Sequence, residues 1–223
     1  PGGRIVTGKK SFMFMHPDME TEVTCTIFDG WKGCARLCGG ESCVKVNLIN
    51  NTHYETYAGV TPSFPSKIIP IHFDGIEIKR GNGLVAKLGA YMGEIGDVDV
   101  GCSYDRNCRT CCCGGLGACR QRIDGAPNSV VFLAAGGTLV MKDLAPGERF
   151  TVDATSIVAF EDSMSLGITP TGSCSMCCVG GEGCCYSTLT GPGKVWVQSM
   201  SFGKFHGAVA QKMAERGYNM DAE

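Results

Sequence analysis

The sequence predicts an all-β fold: a β-roll or prism-like sandwich of about three related glycine-rich units, followed by a short C-terminal helix. Glycine is the first reason. It occurs 32 times in 223 residues, without the every-third-residue period of collagen. Instead it marks turns between short runs of Val, Ile, Phe and Tyr. The second reason is period-two alternation of apolar and polar residues within several of those runs. The third is self-similarity along the chain.

The earliest and faintest copy of the repeat is Cys38-Gly39-Gly40-Glu41-Ser42-Cys43, followed by an alternating run over 44–49. Runs over 67–73 and 76–80 also alternate, and only Asp74-Gly75 separates them, a two-residue hairpin signal. The second copy reads Cys112-Cys113-Gly114-Gly115-Leu116-Gly117-Ala118-Cys119, then Gly125, then Val130-Val131-Phe132. Leu144-Ala145-Pro146-Gly147-Glu148 joins a strand over 138–141 to one over 149–152, and its Pro and Gly stand where a type II turn wants them. Another strand is expected over 156–160. The third copy reads Cys177-Cys178-Val179-Gly180-Gly181-Glu182-Gly183-Cys184-Cys185, then Gly191, then Val195-Trp196-Val197.

Each copy is a Gly-Gly bend, a short Cys-bearing strand, a Gly-containing turn and a second apolar strand. Paired glycines adopt positive φ without a Cβ penalty, so the chain reverses or bulges there. Such a unit cannot bury its own face and stacks on its siblings. A single domain over 1–223 is expected, with units over roughly 1–90, 91–155 and 156–205, then a helix and tail over 206–223. The helical stretch is 208–216, with Gly217 in the C-cap position.

Bulk properties narrow the function classes. Hydrophobic residues make up 43% of the chain, enough for a sizeable core. The 20 basic and 22 acidic residues give a net charge of −2 and do not run in blocks. That balance leaves no footprint for a phosphate backbone and no polybasic arm, so no nucleic-acid partner is expected. No run approaches the ~20 apolar residues of a membrane span. A cytoplasmic or organellar compartment is expected ahead of a secreted one.

Two stretches resemble a known family. One is Gly180-Gly181-Glu182-Gly183 with Leu189-Thr190-Gly191-Pro192-Gly193-Lys194-Val195-Trp196-Val197-Gln198. The other is Leu144-Ala145-Pro146-Gly147-Glu148-Arg149-Phe150-Thr151-Val152-Asp153, followed by Ile157-Val158-Ala159-Phe160. Both are similar to the altered inheritance of mitochondria protein 24 family. The opening Pro1-Gly2-Gly3 and the stretch Gly83-Leu84-Val85-Ala86 fit its earlier part, so the likeness covers nearly the whole chain. The resemblance implies a double-stranded β-helix or β-sandwich related to the tryptophan RNA-binding attenuator protein-like superfamily, with pseudo-symmetry from the repeats and a tendency to form trimers. It implies no agreed enzyme activity, and mitochondrial members of the family are linked to inner-membrane organisation. The chain departs from the family in placing Cys where members carry aliphatic or aromatic residues.

Fifteen cysteines allow three readings. Cys108-x-x-Cys111 and Cys174-x-x-Cys177 have zinc-knuckle spacing and precede corresponding bends of two repeats, which makes these four the candidate metal ligands. Cys112 and Cys113 point to opposite faces of a strand and cannot both join such a site. Disulfides are the second reading; the odd count leaves one thiol over, and Asn50-Asn51-Thr52 is a glycosylation sequon that would fit an oxidising compartment. The favoured reading treats Cys43, Cys119 and Cys184 or Cys185 as small apolar residues packed beside glycines.

One constellation has catalytic form. His72-x-Asp74 with distant His206, and Arg216 beyond it, resembles the facial triad of non-haem iron oxygenases. Asp74 is better explained as a turn residue satisfying local backbone groups, and Arg216 as part of the terminal helix. His16 and His53 read as isolated surface or satisfied core residues. There is no Gly-x-Ser-x-Gly elbow, and the glycine-rich loops lack the Lys-Ser/Thr pair of a phosphate cradle. The expected function is therefore a non-catalytic, cofactor-free scaffold that self-associates as a homotrimer. The alternatives are a metal-dependent enzyme or zinc protein using His72/Asp74/His206 or the Cys-x-x-Cys clusters, and a secreted, disulfide-stabilised assembly protein.

Overall fold

Alternating and β-branched runs become strands wherever a neighbour covers their apolar side. The computed structural model describes residues 2–8, 11–25, 44–75, 77–78, 81–104, 116, 119–170 and 185–216. In chain order its strands are β1 (Arg4–Thr7), β2 (Phe12–Met15), β3 (Glu20–Cys25), β4 (Val44–Ile49), β5 (Ala58–Val60), β6 (Lys67–His72), β7 (Leu84–Ala86), β8 (Tyr91–Ile95) and β9 (Val98–Tyr104). Next come β10 (Cys119–Gly125), β11 (Val130–Ala135), β12 (Leu139–Leu144), β13 (Arg149–Val152), β14 (Ile157–Glu161), β15 (Ser165–Pro170), β16 (Cys185–Thr190) and β17 (Gly193–Gln198), then helix α1 (Phe202–Glu215). Every pairing among the described residues is antiparallel. Sheet I has the order β3-β4-β1-β8-β11-β6, sheet II β12-β17-β14-β7-β10-β9, and sheet III β13-β16-β15, while β2 and β5 form a ribbon. No helix among the described residues is long and apolar enough to cross a membrane.

Sheet II is the middle of three layers. One core cluster joins Ile71, Tyr91, Val131 and Leu133 of sheet I to Leu84, Ile123 and Trp196 of sheet II. A second joins Val85, Phe160, Val195 and Val197 of sheet II to Leu189 of sheet III, with Phe150 and Leu166 against it. Strand β17 displays the arrangement in three residues: Trp196 points to one core and its neighbours Val195 and Val197 to the other. A strand covered on both faces reads as a continuous apolar run, as in β14, where all five residues are buried.

The two stronger sequence copies occupy comparable places. β10 in sheet II leads into β11 in sheet I, and β16 in sheet III leads into β17 in sheet II. Each copy thus steps from one layer to the next. The glycine-rich bends that open them fall outside the described residues, as does the Cys38–Cys43 stretch.

Two local expectations need correction, and a third, the 145–148 turn, is met. The Asp74-Gly75 turn exists, with Gly75 at φ +83, but residues 77 and 78 are bends, not a returning strand. Asp74 Oδ1 accepts from Glu77 N at 2.8 Å, and Glu77 Oε2 accepts from His72 N at 2.8 Å. Side chains cap the end of β6, which pairs instead with β11. The 145–148 turn is present, with a Glu148 N to Ala145 O bond of 2.9 Å and Gly147 at φ +78. The two strands it joins enter different sheets. The helix begins six residues earlier than expected: the Ser201 side chain caps it by accepting from Lys204 N, which overrides the low helix propensity of Gly203 and Gly207.

Candidate functional site

His72, Asp74 and His206 are not brought together as a metal site. His72 lies exposed at the end of β6, the outer strand of sheet I, and Asp74 is occupied in its turn. His206 sits on exposed α1, its ring 6.1 Å from that of Phe202. Among the described residues no three His, Cys, Asp or Glu are placed to hold a metal. Cys108, Cys111, Cys174 and Cys177 lie outside the described residues, as do Cys43 and Cys184.

Cys119 is not a free core thiol. It forms a disulfide with Cys102, with the two Cα atoms 6.1 Å apart. In the β9–β10 ladder Cys102 stands opposite Gln121 and Cys119 opposite Tyr104, so the bond is a diagonal cross-strand clasp. Cys108, Cys111, Cys112 and Cys113 lie within the loop it closes. Closing a loop with a sequence separation of 17 stabilises by about 3 kcal/mol. Reduction, or replacement of both cysteines by serine, is expected to lower Tm by about 6–12 °C. Melts of the wild type and the double serine variant, both without reductant, check this.

The sequon residue Asn50 is buried and committed. Its Oδ1 accepts from Thr52 N at 2.9 Å and from the Thr52 hydroxyl at 2.6 Å, and its Nδ2 donates to Tyr54 O at 2.9 Å. A glycan on Asn50 does not fit this loop.

Three polar assemblies carry the electrostatics. Lys45 on β4 and Glu94 on β8 reach each other across β1 at 2.6 Å, with side-chain exposures of only 12% and 5%. The Tyr91 hydroxyl donates to the second Glu94 oxygen at 2.7 Å. Beside them a cleft of about 450 Å³ is lined by Arg4, Val6, Glu94 and Asp97. Buried Glu161 accepts from Lys194 N at 3.0 Å and Asn82 Nδ2 at 2.9 Å, binding β14 to its surroundings. Asp153 caps the turn over 154–156 and accepts from Lys204 Nζ at 2.7 Å.

Asp153 gives a pH dependence. Burial pushes its carboxyl up, but bonds from Lys204, the Thr155 hydroxyl and Thr155 N outweigh burial and hold it below the usual 3.8. A carboxyl depressed in the folded state stabilises fully above its unfolded pKa, and that contribution is lost as pH falls through the folded value. Because Lys204 belongs to α1, the helix should stay docked at neutral pH and loosen below about pH 4. Lys204→Met is expected to move this acid transition to higher pH, read by helical circular dichroism. Nearby, burial lowers the Lys87 ammonium pKa, the Asp153 charge opposing it and Lys204 adding to it; Lys87 Nζ donates to Thr155 O at 3.1 Å.

His16, which looked isolated in the sequence, is surrounded by rings. Its imidazole lies 5.9 Å from Tyr54 at 74° and 5.4 Å from Tyr57 at 85°, and Phe14 lies 6.2 Å from Tyr57 at 63°. The ribbon positions them: His16 N donates to Tyr57 O at 2.9 Å, extending the β2–β5 ladder. Phe14 lies across Gly59, where a Cβ would run into its ring. Asp18 N donates to His16 Nδ1 at 3.2 Å, fixing the imidazole. The Tyr54 hydroxyl donates to Asp18, which holds the phenol above its usual range. No local motif announces this cluster, because its members come from β2 and its end and from the loop before β5.

Among curated proteins none matches the chain. Among solved structures, the crystal structure of a Streptococcus pyogenes protein, a structural genomics target, is similar in fold. Its TM-score is 0.66 at 15% identity, covering 95% of this chain and 90% of that one. The family model described as Mitochondrial biogenesis AIM24 matches residues 1–200. A match over that span, through the Leu144–Asp153 and Leu189–Gln198 stretches that first showed the likeness, makes the chain a member of the Mitochondrial biogenesis AIM24 family.

Proposed function

We propose that the protein is a non-catalytic scaffold that self-associates, as a homotrimer, and acts by presenting surfaces. The observation that carries this reading is the open edge of sheet II. β12 is its outermost strand, and consecutive residues Val140 and Met141 are 51% and 54% exposed. Successive strand residues point to opposite faces, so among the described residues this edge is exposed on both faces and has no strand partner on its outer side. Native proteins pair, charge or cover such edges, and oligomerisation is one way to do so. Exposed Val23 on β3 and Tyr104 on β9 mark the edges of sheets I and II similarly. The layer-stepping arrangement of β10–β11 and β16–β17 supports the finer reading of pseudo-symmetric repeats.

Native mass spectrometry and sedimentation test the proposal. The wild-type chain is expected to run as a trimer, and Val140→Glu with Met141→Lys as a folded monomer. A wild-type monomer, or a trimer indifferent to both substitutions, overturns it. The Cys102–Cys119 bond favours a variant of this reading, a disulfide-stabilised assembly protein of an oxidising compartment. A mass unchanged by reductant on native isolation would count against that variant alone.

A further inference from the structure

We propose that the ring cluster on the β2–β5 ribbon binds a quaternary ammonium group carried on a small cation, choline being the simplest. The inference goes beyond the scaffold reading and does not depend on self-association. Tyr54, Tyr57 and Phe14 are 49%, 60% and 50% exposed. Core aromatics are enclosed, whereas these rings meet edge to face and stay about half exposed, so ring surface remains within reach of a ligand. An exposed aromatic patch rimmed by polar groups marks a binding surface, and a π face attracts a cation electrostatically.

The charge pattern selects the ligand. Within the described residues 11–25 and 50–61 every formally charged side chain is a carboxylate, Asp18, Glu20, Glu22 and Glu55, and these four outnumber Arg4 of β1, which shares a neighbouring cleft with Glu55. Asp18 is tied to the Tyr54 hydroxyl, and Glu55 lies in the chain between Tyr54 and Tyr57. A cation is favoured here, and a molecule that also carries a carboxylate or phosphate is repelled. A trimethylated ammonium suits rings better than a primary amine does. It is large, weakly hydrated and donates no hydrogen bond, so contact with π faces replaces its water at little loss. The rings are held ready: Gly59 makes room for Phe14, and Asp18 fixes both His16 and Tyr54.

The test is a titration of the intact protein with choline chloride, followed by the ring-proton NMR signals of His16, Tyr54 and Tyr57. Two comparison titrations use glycine betaine and the neutral isostere of choline in which tert-butyl replaces trimethylammonium. Saturable shifts of these rings at millimolar choline are expected, with both comparison compounds at least about fivefold weaker. Tyr57→Leu should weaken choline about fivefold, while Tyr57→Phe should keep it. Both variants alter a surface position, so the fold is retained. Equal binding of the neutral isostere, equal binding of betaine, shifts that never saturate, or indifference to Tyr57→Leu would each overturn the assignment.

Discussion

Trp196→Ala is expected to lower the free energy of unfolding by about 3–5 kcal/mol. Trp196 is 1% exposed and fills the core between sheets I and II. On β14 its register partner is Ala159, which itself stands opposite Ala86 on β7. Two small residues thus line the space that the indole occupies, and neither can expand to fill it. The surrounding strands are fixed by ladders on both sides, so the cavity stays open and its walls lose their dispersion contacts. Urea unfolding followed by circular dichroism measures the loss. Trp196→Phe should recover part of it, and a loss near 1 kcal/mol for Trp196→Ala would mean that the layers are not packed as described.

Lys45→Met is expected to cost about 3–5 kcal/mol, because it leaves the Glu94 carboxylate buried without its ammonium. The Tyr91 hydroxyl still donates to Glu94, but one neutral donor does not replace a charge at 2.6 Å. The double variant Lys45→Met, Glu94→Leu should recover most of that loss, since no charge is then stranded. Thermal and urea unfolding of the four species of this cycle measure the coupling. A double variant no more stable than Lys45→Met would show that the carboxylate is not what the ammonium compensates.

The elements that sequence made legible are those decided locally. Val195-Trp196-Val197, the strand expected over 156–160 and found at Ile157–Glu161, and the Pro146-Gly147 turn all form within a residue of where they are expected, because apolar patterning and turn chemistry act within a few residues. Asp74-Gly75 shows the limit of that information. The turn forms, but the element after a turn depends on what meets it: Asp74 and Glu77 side chains take up the backbone groups at the end of β6, whose strand partner is β11. The Cys102–Cys119 clasp depends on the register of β9 against β10, which composition and spacing do not specify. Lys45 and Glu94 are 49 residues apart, and the rings around His16 come from β2 and the loop before β5. Such assemblies are set by topology, and topology is the part of this fold that short-range signals leave open. The start of α1 was hidden differently: Gly203 and Gly207 argue against a helix until the Ser201 cap is seen.

The order of strands in the sheets bears on how the chain is made. β17, the last strand described, lies between β12 and β14 in the central layer, and β1 lies between β4 and β8 in sheet I. During vectorial synthesis β1 leaves the ribosome well before its partners exist. The slot beside β14 stays vacant until residue 198 has emerged. No portion of the nascent chain that stops short of β17 can complete either core, so both close only once residue 198 has emerged, and until then the strands flanking the slot keep unpaired edges that invite wrong pairing.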